Sequence, residues 1–149
     1  MPTNRFIVAA ANTGKAVNIK KGQFMSALDM KYSVQKAHES GANTIYLTER
    51  GNMYGYNDLI VDFRNLPVMK EICSAVIMDC THSVQLPNRN SGVSGGLSQY
   101  IESMALAAKA FGANGYFFEV HPNPQKALCD SACMLQLHRL EDVILKLID

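Results

Sequence analysis

Short apolar runs alternate with amphipathic stretches along the whole chain, and most runs end in a polar or charged cluster. Phe6 to Ala11 reads as the end of a helix, with Asn12-Thr13-Gly14 as its stop. Ala16 to Ile19 reads as a short strand running into Lys20-Lys21-Gly22. Ser26 to Glu39 predicts a helix, because Met30, Val34 and Ala37 recur at helical spacing. Ser26 is its candidate N-cap, Asp29 completes a weak capping box, and Gly41 is the stop. Thr44 to Thr48 predicts a second strand, ending at Glu49-Arg50-Gly51. A helix is expected from about Asp62 to Ile72, with Pro67 inside it or at its start. Ala75 to Met78 predicts a third strand, ending at Asp79-Cys80-Thr81-His82. A polar connection rich in Asn, Ser and Gly runs from Gln85 to Gly96, and a helix follows from about Ser98 to Phe111, closed by Gly112. Tyr116 to Phe118 predicts a fourth strand, running into Glu119-Val120-His121-Pro122, and Leu137 to Ile148 the last helix.

Four strand-then-helix units in a row, with no Asn-Gly turn between two strands, predict one α/β domain over residues 1–149. Such alternation implies a parallel sheet with right-handed crossovers. Lys20, Arg50, His82 and Glu119 each fall at a strand's C-terminal end, the edge where parallel α/β folds build their sites. A complete eight-unit barrel takes about 250 residues. Four units in 149 residues therefore fit either a small open sheet or half of such a barrel, and spacing alone leaves both open.

Composition narrows the class. Hydrophobic residues make up 48% of the chain and charged residues 18%, which is enough apolar material for a packed core and argues against disorder. The formal net charge is +1 and no long basic run occurs, so nucleic acid is not an expected partner. No apolar run approaches the roughly 20 residues of a membrane span, and Met1 to Phe6 lacks the apolar core of a secretory leader. Cys73, Cys80, Cys129 and Cys133 are accordingly read as free thiols of a cytoplasmic protein.

The candidate chemistry lies at the strand ends. Lys20 and Lys21 suit a phosphate or carboxylate as point charges, although an isolated Lys-Lys pair is more often a solvated turn. Arg50 ends the next strand, and neighbouring strands lie about 4.8 Å apart, so both cations can meet one anion. Thr48-Glu49-Arg50-Gly51 with Tyr54-Gly55-Tyr56-Asn57-Asp58 has a plainer reading as a surface ion pair and a turn. His82 reads as a metal ligand, a general acid/base or a structural histidine. Period-two alternation puts Glu119 and His121 on one side of their strand. His82, Glu119 and Asp130 offer one nitrogen and two carboxylates, a mixed set suited to Mn, Fe or Zn. Cys129 and Cys133 have no second Cys/His pair at zinc-finger spacing. The stretch Leu86 to Gly96 reads as a lid or as slack, and Ser94-Gly95-Gly96 is expected to open a helix whose N–H groups hold phosphate.

Taken together, Asn18-Ile19-Lys20-Lys21-Gly22-Gln23-Phe24, Glu49-Arg50-Gly51 with Tyr54-Gly55-Tyr56-Asn57-Asp58-Leu59-Ile60-Val61-Asp62, Asp79-x-Thr81-His82-Ser83-Val84-Gln85, Ser94-Gly95-Gly96 and Glu119-x-His121-Pro122-x-Pro124 resemble the 3-deoxy-D-manno-octulosonate 8-phosphate synthases. The match is ordered and covers nearly the whole chain. It implies the last four units of a (β/α)8 TIM barrel. It also implies condensation of phosphoenolpyruvate with D-arabinose 5-phosphate in lipopolysaccharide biosynthesis, in a homotetramer. On the matching positions, Lys20, Arg50, His82 and Asp130 would be catalytic. Lys20, Lys21, Gln23, Arg50, Gln85 and Ser94 would bind substrate, and the Gln85–Gly96 connection would close over the sugar phosphate. His82, Glu119 and Asp130 would be metal ligands. Metal-dependent members draw a fourth ligand, a Cys, from the first barrel strand, where metal-independent members carry Asn. One divalent metal (Mn, Fe or Zn) is implied in the first class and none in the second. The family's Gly-Pro after the aspartate is replaced here by Ser131-Ala132-Cys133. The related heptulosonate 7-phosphate synthases share the same Lys, Arg, His, Glu and Asp but take erythrose 4-phosphate, and the Thr-His-Ser-Val-Gln and Tyr-Gly-Tyr-Asn-Asp segments favour the octulosonate enzymes. A truncated half-barrel, inactive alone and self-associating through its open sheet edges, is the reading from a different class.

Overall fold

The computed structural model describes residues 2–87 and 95–148. In chain order the elements are α1 (Pro2–Ala11), β1 (Val17–Lys20), α2 (Met30–Glu39), β2 (Ile45–Glu49), β3 (Asn52–Met53), β4 (Leu59–Ile60), α3 (Asn65–Lys70), β5 (Ala75–Asp79), β6 (Gln85–Leu86), β7 (Gly95–Gly96), α4 (Ile101–Ala110), β8 (Gly115–Phe117), β9 (Val120–His121), β10 (Leu135–Gln136) and α5 (Leu140–Ile148). Four strands form one sheet in the order β1-β2-β5-β8, and every pairing in it is parallel. Sequential strands are thus spatial neighbours, as an unbroken run of βα units requires.

The two faces of this sheet differ sharply. On one face Ile45, Leu47, Val76 and Met78 are fully buried. They share a core with Ala11 of α1, Val34 and Ala37 of α2, Leu66 and Met69 of α3, Ala105 and Ala108 of α4, and Val143 of α5. On the other face Asn18, Lys20, Tyr46, Ile77 and Phe117 all keep solvent exposure. All five helices therefore contribute to a single covered face. A doubly wound sheet covers both, whereas a barrel wall carries its helices outside only.

Helix ends follow local chemistry. Ser26 Oγ accepts from the Asp29 N–H at 3.1 Å and donates to Asp29 Oδ2 at 2.8 Å. This cap closes a turn over residues 27–29, so regular helix starts at Met30 rather than at Ser26. Gly41 ends α2 with φ 97°, a left-handed conformation that glycine adopts without steric cost. The helix expected over residues 62–72 shortens to α3. The Asp62 carboxylate holds the Arg64 N–H and guanidinium in a tight local turn before it.

Small β-pairs were not expected, yet antiparallel pairs join β3 to β4 and β6 to β7 in the connections after β2 and β5. The β6–β7 pair also corrects the reading of Ser94-Gly95-Gly96 as a helix start. Gly95 and Gly96 lie in β7, and helical turns begin only at Ser98. Glycine is required at Gly96: a Cβ there would sit 2.6 Å from the Ala132 carbonyl oxygen. The fourth strand has the expected three residues but lies one position earlier, at Gly115–Phe117. It stops at Phe117, and the Glu119 N–H turns aside to Thr81 Oγ1 at 3.2 Å. Glu119 and His121 therefore do not alternate along one strand. His121 belongs to β9, which pairs with β10.

Candidate functional site

The parity that separates the sheet faces also sorts the charged residues. Lys20 and Asp79 lie on the open face, with Phe117 directly opposite Asp79 in the register. Lys20 Nζ contacts Asp79 Oδ2 at 2.7 Å and sits 4.2 Å from the Phe117 ring centroid. Lys21 was expected beside Lys20 on substrate, but successive residues of an extended chain face opposite sides. Its ammonium is fully buried on the covered side, 3.3 Å from Glu49 Oε1, 2.8 Å from Asn52 Oδ1 and 3.3 Å from the Gly51 carbonyl. Burial pushes the Lys21 ammonium below its ordinary range despite the attraction of Glu49. Lys21 thus ties together the turns after β1 and β2. Glu49 completes this knot: its Oε1 accepts the N–H groups of Arg50 and Gly51 at 2.9 and 2.6 Å, and Oε2 accepts from Asn65 at 2.9 Å. Arg50 is held at the strand end by its own backbone.

Arg50 Nη2 donates to the His82 carbonyl at 3.3 Å and to Gln85 Oε1 at 3.2 Å, while its Nε is buried with no partner among the described residues. Arg presents a planar fork that suits carboxylate or phosphate. Gln85 uses its other end too, with Nε2 donating to Asp130 Oδ1 at 2.6 Å. Asp130 sits at φ 49°, a left-handed conformation uncommon outside glycine but tolerated by Asp.

His82, Glu119 and Asp130 meet, with one ligand-type atom from each lying within 4.8 Å of the others. His82 Nε2 lies 3.0 Å from Glu119 Oε2, and His82 Nδ1 lies 2.9 Å from Asp79 Oδ2. Two carboxylates and an imidazole nitrogen converging at this range make a donor set for a divalent cation, so the residues fit such an ion. Asp79 was absent from the expected site residues. Burial works against its ionisation, but hydrogen bonds from His82 and then Lys20 outweigh this and hold its carboxyl at about 2. A signal existed in the sequence: Asp79 is three residues before His82, across the tight turn that ends β5.

The remaining expected residues lie elsewhere or outside view. Gln23 lies in the turn after β1, where its carbonyl accepts the Met53 N–H at 2.9 Å. His121 Nδ1 accepts from the Asn123 N–H at 2.9 Å and is not part of the His82 cluster. Ser94, and most of the connection expected to act as a lid, lie outside the described residues. Cys80 and Cys133 are buried. Burial raises both thiols, Cys133 to about 12.

Fold and site together define a parallel α/β protein whose strand ends carry Lys20 and Arg50 near a nitrogen–carboxylate cluster of His82, Glu119 and Asp130. The chain belongs to the DAHP synthetase I family, which it matches over residues 1–148. It is 47% identical over 142 residues to the 2-dehydro-3-deoxyphosphooctonate aldolase of Desulfotalea psychrophila, covering 95% of this chain and 51% of that protein. It is 49% identical over 144 residues to the protein of that name from Desulfosudis oleivorans, covering 96% and 52%. With the Campylobacter jejuni protein of the same name, identity is 46% over 154 residues, covering 96% and 56%. The chain spans about half the length of the curated relatives it matches.

Proposed function

We propose that this chain supplies the strand-end half of the active site of a 3-deoxy-D-manno-octulosonate 8-phosphate synthase. The reaction condenses phosphoenolpyruvate with D-arabinose 5-phosphate and water, giving the eight-carbon sugar acid phosphate and inorganic phosphate, in lipopolysaccharide biosynthesis. The observation that carries this reading is that Lys20, Arg50, His82 and Glu119 end or follow adjoining parallel strands and that His82 and Glu119 meet Asp130, brought in from the connection between β9 and β10. It occurs in a chain 46–49% identical to three proteins named for octulosonate chemistry.

The chemistry follows from charge. Phosphoenolpyruvate is a compact polyanion, and the sugar phosphate that must approach it is another anion. Lys20 and Arg50 neutralise the first so that the second can come close. Carbon–carbon bond formation leaves positive charge at C2 of the enol, water adds there, and phosphate departs. Fixed cations around the leaving group stabilise the charge it carries away. His82, Glu119 and Asp130 would hold one divalent metal (Mn, Fe or Zn) in the metal-dependent class, and such an ion would supply polarisation of a water or substrate oxygen.

The half-barrel expectation belongs to the same proposal. One covered face, an open face rich in partly exposed residues and two unpaired edges at β1 and β8 fit one wall of an eight-stranded barrel. The same open edges favour the second reading, in which residues 1–149 alone self-associate and are inactive. The homotetramer and the cytoplasmic setting stand as parts of this proposal; among the described residues no helix is long and apolar enough to cross a membrane.

The test is phosphate release from phosphoenolpyruvate with arabinose 5-phosphate, with erythrose 4-phosphate and with neither. It is run with and without divalent metal, on the chain alone and on the chain mixed with the N-terminal half of the Desulfotalea psychrophila relative. Release that requires arabinose 5-phosphate supports the proposal. Release driven by erythrose 4-phosphate points to the heptulosonate reaction instead, and no release in any mixture overturns the reading.

A further inference from the structure

We infer that Asp79 is the positioning residue of this site, one carboxylate that fixes both the tautomer of His82 and the reach of Lys20. The inference rests on reading His82, Glu119 and Asp130 as a cation site and goes beyond it, to a residue outside that cluster. The two oxygens of Asp79 divide most of the work, although His82 Nδ1 lies 3.2 Å from Oδ1 as well as 2.9 Å from Oδ2. Oδ1 is taken up by the turn that ends β5, accepting from the Thr81 N–H at 3.2 Å, Thr81 Oγ1 at 3.1 Å and the His82 N–H at 2.9 Å. These bonds lock a fully buried carboxylate in place. Oδ2 is left to face the site, where it meets Lys20 Nζ at 2.7 Å and His82 Nδ1 at 2.9 Å.

Donor and acceptor counting then assigns the imidazole. A lysine ammonium only donates and an ionised carboxylate only accepts. Lys20 Nζ also lies 3.4 Å from His82 Nδ1, but that contact is longer than either bond to Asp79. Two donors sharing one acceptor oxygen account for all three distances. His82 Nδ1 therefore carries a proton; the same rule gives Nε2 one as well while it faces the Glu119 carboxylate 3.0 Å away, and that second proton is the one a cation held with Asp130 would displace. An imidazole that ligates through one nitrogen while the other donates to a carboxylate is oriented, and made more basic, by that carboxylate. The same oxygen holds Lys20 above the Phe117 ring, so the ligand and the substrate cation are set by one anchor.

The test uses the 15N-labelled 149-residue chain freed of metal. Long-range 15N–1H correlations of the His82 ring should show the proton on Nδ1, and a ring with Nδ1 bare overturns the inference. Calorimetric titration with Zn(II) follows. Asp79→Asn should weaken binding by about 10- to 100-fold while its circular dichroism spectrum stays that of the wild type. A folded Asp79→Asn chain with wild-type affinity overturns the positioning role and leaves the cation site standing. A wild-type chain that binds no Zn(II) fails the cation-site reading and the inference with it. If the variant does not fold, the wild-type ring measurement alone decides. None of these readouts depends on phosphate release, so their outcome is separable from that of the synthase assay.

Discussion

Gln85 donates from Nε2 to Asp130 Oδ1 at 2.6 Å, and its Oε1 accepts from Arg50 Nη2 at 3.2 Å. One side-chain amide thus joins the Arg50 guanidinium to the Asp130 carboxylate. Gln85→Leu keeps comparable bulk and removes both bonds. It should weaken Zn(II) binding by about tenfold, the lower end of what losing a ligand's hydrogen-bond partner costs. Calorimetry on the folded variant measures this, and unchanged affinity would show that Asp130 needs no such support.

Arg50→Ala removes the guanidinium that the proposed function sets against phosphoenolpyruvate. Loss of one member of a close charged pair costs about 2–5 kcal/mol, so phosphoenolpyruvate binding should fall by about 30-fold or more, or vanish. Binding with wild-type affinity in the mixed-half preparation would refute the assignment.

Lys21→Met tests a structural role. The Lys21 ammonium and the Glu49 carboxylate are fully buried together, and removing one member of such a pair costs about 3–5 kcal/mol, because the other charge is left uncompensated. Urea unfolding should report a loss of that order. A change under about 1 kcal/mol would mean that the backbone N–H groups on Glu49 suffice.

The Asp79 carboxyl predicts an acid-side signature. Its folded value of about 2 lies below the ordinary 3.8, so its contribution to stability is complete above the ordinary value and lost as pH falls through the folded one. The difference amounts to about 2 kcal/mol. The stability gap between wild type and Asp79→Asn should be flat near neutrality and should shrink by about that much between roughly pH 4 and pH 2. A gap that ignores pH in this window would contradict the ionised, doubly bonded carboxylate.

The thiols should separate by accessibility. Cys129 is exposed, whereas Cys80 and Cys133 are buried and their thiols are raised. A thiol reagent at neutral pH should label Cys129 first and reach Cys80 and Cys133 only on unfolding, as peptide mapping would reveal.

The alternation of apolar runs made the parallel sheet legible, because the buried face of each strand must be apolar whatever surrounds it. The strand ends were legible for the same reason: a polar cluster after an apolar run marks where the chain leaves the core. Lys21 was misplaced although the same alternation, carried one residue past β1, puts it opposite Lys20. Asp79 was passed over because a carboxylate three residues before a histidine becomes a partner only once the turn between them is known. Asp130 lies in a stretch without periodicity, so only its ligand-type carboxylate and the resemblance pointed to it. The β3–β4 and β6–β7 pairs involve two residues per strand, too few to leave a repeat.

The missing side chain at Gly96 leaves room for the backbones of β7 and of Ala132-Cys133 to lie directly on one another. Gly96 is paired with Gln85, and the Gln85 amide donates to Asp130. Both strands of the β6–β7 pair therefore touch the stretch that carries Asp130, one through that amide and the other through the close approach to Ala132. A side chain added at Gly96 would push on Ala132, two residues from the carboxylate that Gln85 joins to Arg50.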